Sequence, residues 1–193
     1  MQHRSEETRT HILEAALKRF ANYGYNAASI DQICADAGVS KGAFYHHFPS
    51  KQAIFLELLK GWLNTIDTGF EAVRQPTVPE TLLQMTSTLP AIFASADDRL
   101  PMFLEFWLQA SRDEKIWEAT ISPYRHYQEY FANLIQHGID EGSFAPVDPQ
   151  SAAQMVVSMA VGLLLQGLLD PQGADWEKVG RDSMQVILKG LEV

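Results

Sequence analysis

Ser40-Lys41-Gly42-Ala43-Phe44-Tyr45-His46-His47-Phe48-Pro49-Ser50-Lys51 is the stretch on which the fold turns. Ser40 suits a helix cap, its hydroxyl accepting from the free N–H groups of the first turn. Pro49 cannot continue that helix and pushes Phe48 out of helical geometry. The outcome is a helix within 40–48 of about two turns, too short to stand alone, so packing must hold it. Phe44 and Phe48, four apart, supply the packing face. Lys41, Gly42, Tyr45 and His46 then point the other way, with His47 at the edge. A cation, a bare backbone, a phenol and imidazoles on one face suit a DNA groove.

The preceding residues supply the other half. Ser29-Ile30-Asp31-Gln32 reads as a capping box, and Ile30, Ile33 and Ala37 follow on one helical face. Ala37-Gly38-Val39 is a tight turn with glycine where φ can become positive. Helix, glycine turn and short polar-faced helix make the helix-turn-helix pattern. With Ile30, Ile33, Ala37-Gly38-Val39-Ser40-Lys41-Gly42, Tyr45-His46-His47-Phe48 and Lys51 all in register, the chain resembles the N-terminal domain of TetR-family transcriptional regulators over about residues 6–66. Phe44 departs from it, since a branched aliphatic is commoner there; that touches packing and leaves the outer face unaffected.

The charge balance fits once it is divided. The whole chain of 193 residues carries −9, but residues 1–52 hold six Lys/Arg against five acids, +1, with four of the six histidines. The acid is concentrated in the remainder, and binding to DNA responds to the local patch. No apolar run approaches the ~18 residues of a membrane span, and the polar start is not a signal peptide, so a cytoplasmic protein is expected. The single cysteine, Cys34, allows no internal disulfide and reads as a small buried hydrophobe.

Taken in order, Glu6 to Tyr23 is a first helix, a platform built on Ile12, Ala16 and Phe20, ending at Gly24. Arg4 and Arg9 near its start are within reach of phosphate, though an exposed arginine is solvated by default. Ser50 caps a long connector helix over 51–72 with Ile54, Leu58, Trp62, Ile66 and Phe70 at four-residue spacing; tilting its far end would move the reader helix. Gln75-Pro76-Thr77-Val78-Pro79 breaks it and marks a domain boundary. Glu80 to Ala94 follows, kinked by Pro90, then a helix with Phe103, Leu104, Trp107 and Leu108 inward and Glu105 and Gln109 outward. A long helix over 115–138 contains Pro123 as a bend or break. Asp148-Pro149 opens a helix that is apolar nearly all round, and such a helix is buried on more than one side.

The expected architecture is therefore all-α, with about nine helices: a three-helix helix-turn-helix domain over 1–50, the connector, and a larger ligand-binding and dimerisation domain over 73–193. Candidate DNA contacts are Ser29, Ser40, Lys41, Gly42, Ala43, Tyr45, His46, His47 and Lys51. Lys41 has no obvious acidic partner within helical reach and favours a base edge or phosphate. Gly42 lets the backbone approach, or is merely tolerated. Ala43 fits a thymine methyl. Tyr45 and His46 suit phosphates, which position a helix without choosing sequence. His47 is as well explained by packing, and Ser29, Ser40 and Lys51 each have local cap roles too. The terminal helices read as a homodimer interface made as a four-helix bundle, through Ala160, Leu164, Leu168, Val186 and Ile187, and the resemblance implies the same.

Met102, Phe103, Phe106, Trp107, Trp117, Tyr124, Tyr127, Phe131, Met155 and Met159 would ordinarily be core; the resemblance implies that some of them line a pocket for a small-molecule effector. Neither a cofactor nor a metal is expected. No nucleophile motif, phosphate loop or metal spacing is present, so an enzyme is not expected either. The reading is a DNA-binding transcriptional regulator with double-stranded DNA, itself and a small ligand as partners. Action as a ligand-released repressor on a palindromic operator is what the resemblance implies. The alternative is a ligand-binding or protein-docking adaptor whose head no longer binds DNA.

Overall fold

The computed structural model describes the backbone of residues 2–91 and 100–192, without the side chains of 2–4, 100–103, 106 and 168. The side-chain roles expected for Arg4, Met102, Phe103, Phe106 and Leu168 lie outside the described residues. Nine α-helices occur among the described residues: α1 (Gln2–Tyr23), α2 (Ile30–Ala37), α3 (Lys41–His47), α4 (Lys51–Ala72), α5 (Val78–Met85), α6 (Leu100–Ala110), α7 (Glu114–Asp140), α8 (Pro149–Leu169) and α9 (Trp176–Leu191). No strand forms among them; one isolated bridge pairs Phe144 with Glu192.

Packing divides the chain into two compact units, Met1–Asn64 with Ala96–Thr120, and Thr65–Ser95 with Ile121–Val193. The division differs from the boundary expected at 75–79, because α4 and α7 each belong to both units. In the first unit Ile12, Ala16, Phe20, Ile33, Phe44, Ile54 and Phe55 are fully buried. Cys34 is buried among them as expected. The buried stripe of α4 is Ile54, Phe55, Leu59 and Trp62, because a strict four-residue row drifts about 40° around the helix at each step.

In the second unit the core is formed by Val78, Leu82, Met85, Phe131, Ile135, Phe144, Val156, Met184 and Leu188, among others. α5 starts earlier than expected, since Thr77-Val78-Pro79-Glu80 is itself a capping box. Helix α5 gives way to a 3₁₀ turn at Thr86–Thr88. Pro90 offers no N–H to the Thr86 carbonyl and its ring crowds that oxygen, which accounts for the change of pitch. Pro123, by contrast, is accommodated inside a continuous α7.

Gly138 on α7 shows how tight this core is. A Cβ there would stand 2.4 Å from the ring of Phe144, itself fully buried. Overpacking of this kind costs about 1–3 kcal/mol, set against ~1 kcal/mol that alanine gains over glycine in a helix. Gly138→Ala is therefore expected to lower the melting temperature; an unchanged or raised value would mean that the Phe144 ring can move.

α6 reverses the expected orientation. Gln109 is 6% exposed and Glu105 half-buried, whereas Leu104 and Leu108 are exposed and Trp107 is 46% exposed. The polar stripe turns inward because Glu105 meets a backbone donor of the first unit and Gln109 bonds to Glu105, as described below.

Candidate nucleic-acid interface

The helix-turn-helix is built from local hydrogen bonds that its own residues dictate. Ser29 Oγ accepts from the Gln32 N–H, and the Gln32 side chain returns a bond to the Ser29 N–H. Gly38 stops α2 at φ 65°, a left-handed conformation that favours glycine. Ser40 Oγ accepts from the Ala43 N–H, opening α3, and Phe48 turns extended before Pro49 to close it. Phe44 and Phe48 are 0% and 3% exposed and pack ring against ring, anchoring these two turns to the core. Lys41, Gly42, Tyr45 and His46 are exposed on the opposite face, with Ala43 and His47 half-buried at its edges. Tyr45 is 52% exposed.

The cations around this face are mostly paired. Lys41 Nζ lies 2.6 Å from Asp31 Oδ1, an acidic partner outside the helical reach within which none was expected. The partner sits in the first turn of α2, across the Gly38 turn and beyond any helical spacing. Both side chains are about two-thirds exposed, and such a pair adds little stability and exchanges readily. Arg9 pairs with Glu57 and lies over the Phe48 ring at 5.2 Å. Arg19 binds Asp36, holding its carboxyl below the usual range.

Lys51 has a structural role that its sequence position alone does not reveal. Its ammonium donates to the Tyr25 and Ala28 carbonyls at 2.7 and 2.9 Å and lies 4.3 Å from the centre of the Tyr25 ring. It clamps the loop joining α1 to α2, which leaves one of its three protons for any phosphate.

His47 carries a pH signature. Burial first, then the charges of His46 and Arg9, push its pKa below 6.5. The unfolded chain therefore takes up a proton before the folded one does, and stability falls as pH drops through about 6.5. A nearby phosphate has the opposite effect and favours the imidazolium. Melting temperature is expected to decrease, and DNA affinity to increase, between pH 7.5 and about 5.5; His47→Gln should flatten both curves. Parallel pH trends would show that His47 does not face the DNA.

The residues expected to line a pocket are distributed between the two units. Trp107 and Trp117 belong to the first and are exposed; Met155 belongs to the second and is also exposed, so none of these three is placed as an internal lining. Tyr127 and Phe131 join Phe70 and Tyr130 in a cluster of ring contacts, with Tyr124 and Met159 packed at the edge of the same core. Tyr127 donates to Asp67 Oδ1 at 2.8 Å, and its hydroxyl pKa is pushed up chiefly by burial. Among the residues assigned to the interface, Val186 is 71% exposed, Ala160 and Ile187 are half-buried, and Leu164 is 9% exposed within its own chain. Leu164 is thus a core residue. Leu165 and Leu169, with Met155 further up the helix, carry the exposed apolar surface of α8 instead.

Residues 12–58 match the family described as bacterial regulatory proteins, tetR family. Residues 82–188, more than half of the chain, match the C-terminal region of BetI-type transcriptional repressors. Among similar proteins, the HTH-type transcriptional regulator YhgD of Bacillus subtilis is 26% identical over 171 residues, 86% of this chain and 83% of its own. The HTH-type transcriptional repressor KstR2 of Mycolicibacterium smegmatis is 25% identical over 185 residues, 95% of this chain and 90% of its own. A regulator from Saccharomonospora viridis, solved in complex with choline, superposes with a TM-score of 0.79 at 24% identity, covering 95% of this chain and 96% of that one.

Proposed function

Because this chain belongs to the tetR family of bacterial regulatory proteins and is a helix-turn-helix transcriptional regulator, we propose that it is a ligand-released repressor that binds a palindromic operator as a homodimer. The observation that carries this is the division of α3, with Phe44 and Phe48 sealed in the core while Lys41, Tyr45 and His46 face outward. Ser29, Ser40 and Lys51 flank that face where phosphates run, Gly42 on it lets the backbone approach, and Ala43 offers a methyl to thymine. Lys41 exchanges Asp31 for a phosphate or a base edge, a swap between exposed charge partners. The protein acts in the cytoplasm by binding, without catalysis and without a resident metal or cofactor.

A dimer brings two α3 helices to major-groove segments about 34 Å apart, one turn of duplex. An effector that favours a different spacing shifts the population away from DNA. The rings of Phe70, Tyr127, Tyr130 and Phe131, with Asp67 beside them, support a small organic effector held by stacking and one charged hydrogen-bond partner. Choline, seen in the Saccharomonospora viridis protein, is the first probe for a thermal-shift screen.

Selection of the purified protein against random duplexes at low salt, followed by a salt titration, tests the reading. A palindromic winner is expected, with log affinity falling by roughly 0.9 per neutralised phosphate for each unit of log salt. Absence of any enriched sequence, with and without ligands, would favour the adaptor instead.

A further inference from the structure

Helix α6 places an acid on the reader unit at a point that none of the DNA-facing residues occupies. Tyr25 N–H, in the loop between α1 and α2, donates to Glu105 Oε1 at 3.2 Å. Gln109 Nε2 donates to the same oxygen at 2.8 Å, and the Gln109 side chain is buried. The other carboxylate oxygen lies across Gly24, 3.7 Å from where a Cβ would stand. Gly24 has φ 80°, so the chain reverses here: its own N–H closes α1 on the Phe20 carbonyl, and the next N–H, that of Tyr25, is turned to the carboxylate. One helical turn beyond Gln109, Asp113 Oδ1 accepts from Gln52 Nε2 at 3.3 Å, on the first turn of α4. Glu105 and Gln109 lie one turn apart on α6, and Asp113 follows just past its end.

The loop that Glu105 holds from one side is held by Lys51 from the other. Lys51 takes the Tyr25 and Ala28 carbonyls while Glu105 takes the Tyr25 N–H. Burial pushes the Lys51 pKa down, and the charge of Glu105 works against that push, so the two groups sense each other. Immediately after Ala28 comes Ser29, the cap from which α2 starts. Whatever sets the loop therefore sets where α2, and after its glycine turn α3, begins.

We propose that Glu105 is a positioning residue for DNA recognition, its carboxylate fixing the Gly24–Ala28 loop from which the two reader helices are hung. The proposal rests on the regulator reading above. It makes a prediction opposite in sign to simple electrostatics: removing an acid from a DNA-binding unit should strengthen binding to phosphates, whereas removing this one weakens it.

The test uses the full chain and the duplex that the wild-type protein selects. Glu105→Ala is expected to bind that duplex about tenfold more weakly, the scale of one hydrogen bond to a charged group. Its salt slope should be unchanged, since no phosphate contact is lost. Glu105→Gln keeps an oxygen for the Tyr25 N–H and should restore most of the affinity. Gln109→Leu, which keeps volume and removes the donor that steadies the carboxylate, should act in the same direction to a smaller extent and serves if the alanine variant does not fold. Amide exchange at Tyr25 should accelerate in Glu105→Ala while the core of α1 stays protected. Equal or tighter binding by Glu105→Ala, or unchanged Tyr25 protection, overturns the proposal alone. Failure of the wild-type protein to select any duplex overturns the regulator reading, and this proposal with it.

Discussion

Lys41→Ala combined with Tyr45→Ala is expected to reduce operator affinity by at least about 100-fold, with helix content and oligomeric mass unchanged. Both side chains are exposed and neither belongs to the buried core, so the fold does not depend on them. Each lost contact occurs twice in a dimer, and a good base or phosphate contact is worth roughly 1–3 kcal/mol. Lys41 adds a second effect. In the free protein it covers Asp31 at 2.6 Å. Once it is removed, that carboxylate is left facing the phosphates at close range, and like charges there repel. Asp31→Ala introduced into Lys41→Ala should therefore recover part of the loss. Titration of the single, double and triple variants by fluorescence anisotropy separates the lost attraction from the gained repulsion. Affinity unchanged in Lys41→Ala/Tyr45→Ala would remove α3 as the reader.

The parts of this site that the sequence made legible are those decided within about five residues. The Ser29 and Ser40 caps, the left-handed Gly38 and the proline stop after Phe48 all follow from one side chain acting on a nearby backbone, and all are present. Burial of Phe44 and Phe48 follows from their spacing alone. What was not legible depends on distant partners. Asp31 is ten residues before Lys41, and their pairing requires the turn between two helices to be already formed. Lys51 finds two carbonyls more than twenty residues away. The face of α6 was inverted for the same reason: Leu104, Trp107 and Leu108 form the apolar stripe that hydrophobicity would bury, yet Glu105 accepts from a backbone N–H some eighty residues earlier and Gln109 donates to Glu105. An unpaired buried donor is costly, so satisfying that N–H competes with burying the aliphatic stripe. No periodicity within α6 could have signalled this. Thr77-x-x-Glu80 is different, because its capping box was readable and marks the start of α5.

Leu169→Glu combined with Val186→Glu is expected to halve the mass in sedimentation and to reduce operator affinity by about 100-fold or more, because two tethered half-site contacts become two separate ones. α8 and α9 pack against each other in the second unit. Their inward residues, Ala153, Val156, Val157 and Leu164 with Met184 and Leu188, are committed to the core of the single chain. Outward they leave Leu165, Leu169 and Val186, large apolar groups that a solitary chain would gain nothing by exposing. The proposed four-helix interface covers them. Charging Leu169 and Val186 leaves the protomer intact, since both are 71% exposed, but sets four carboxylates against a closing apolar surface. Leu164→Glu is the instructive contrast. That side chain is already buried within its own chain, so a carboxylate there would damage the fold itself, and any loss of dimer would be secondary. Melting curves distinguish the two cases: the Leu169/Val186 variant should retain cooperative unfolding as a monomer, while Leu164→Glu should lose it. A Leu169/Val186 variant that remains fully dimeric would move the interface to another face of the second unit.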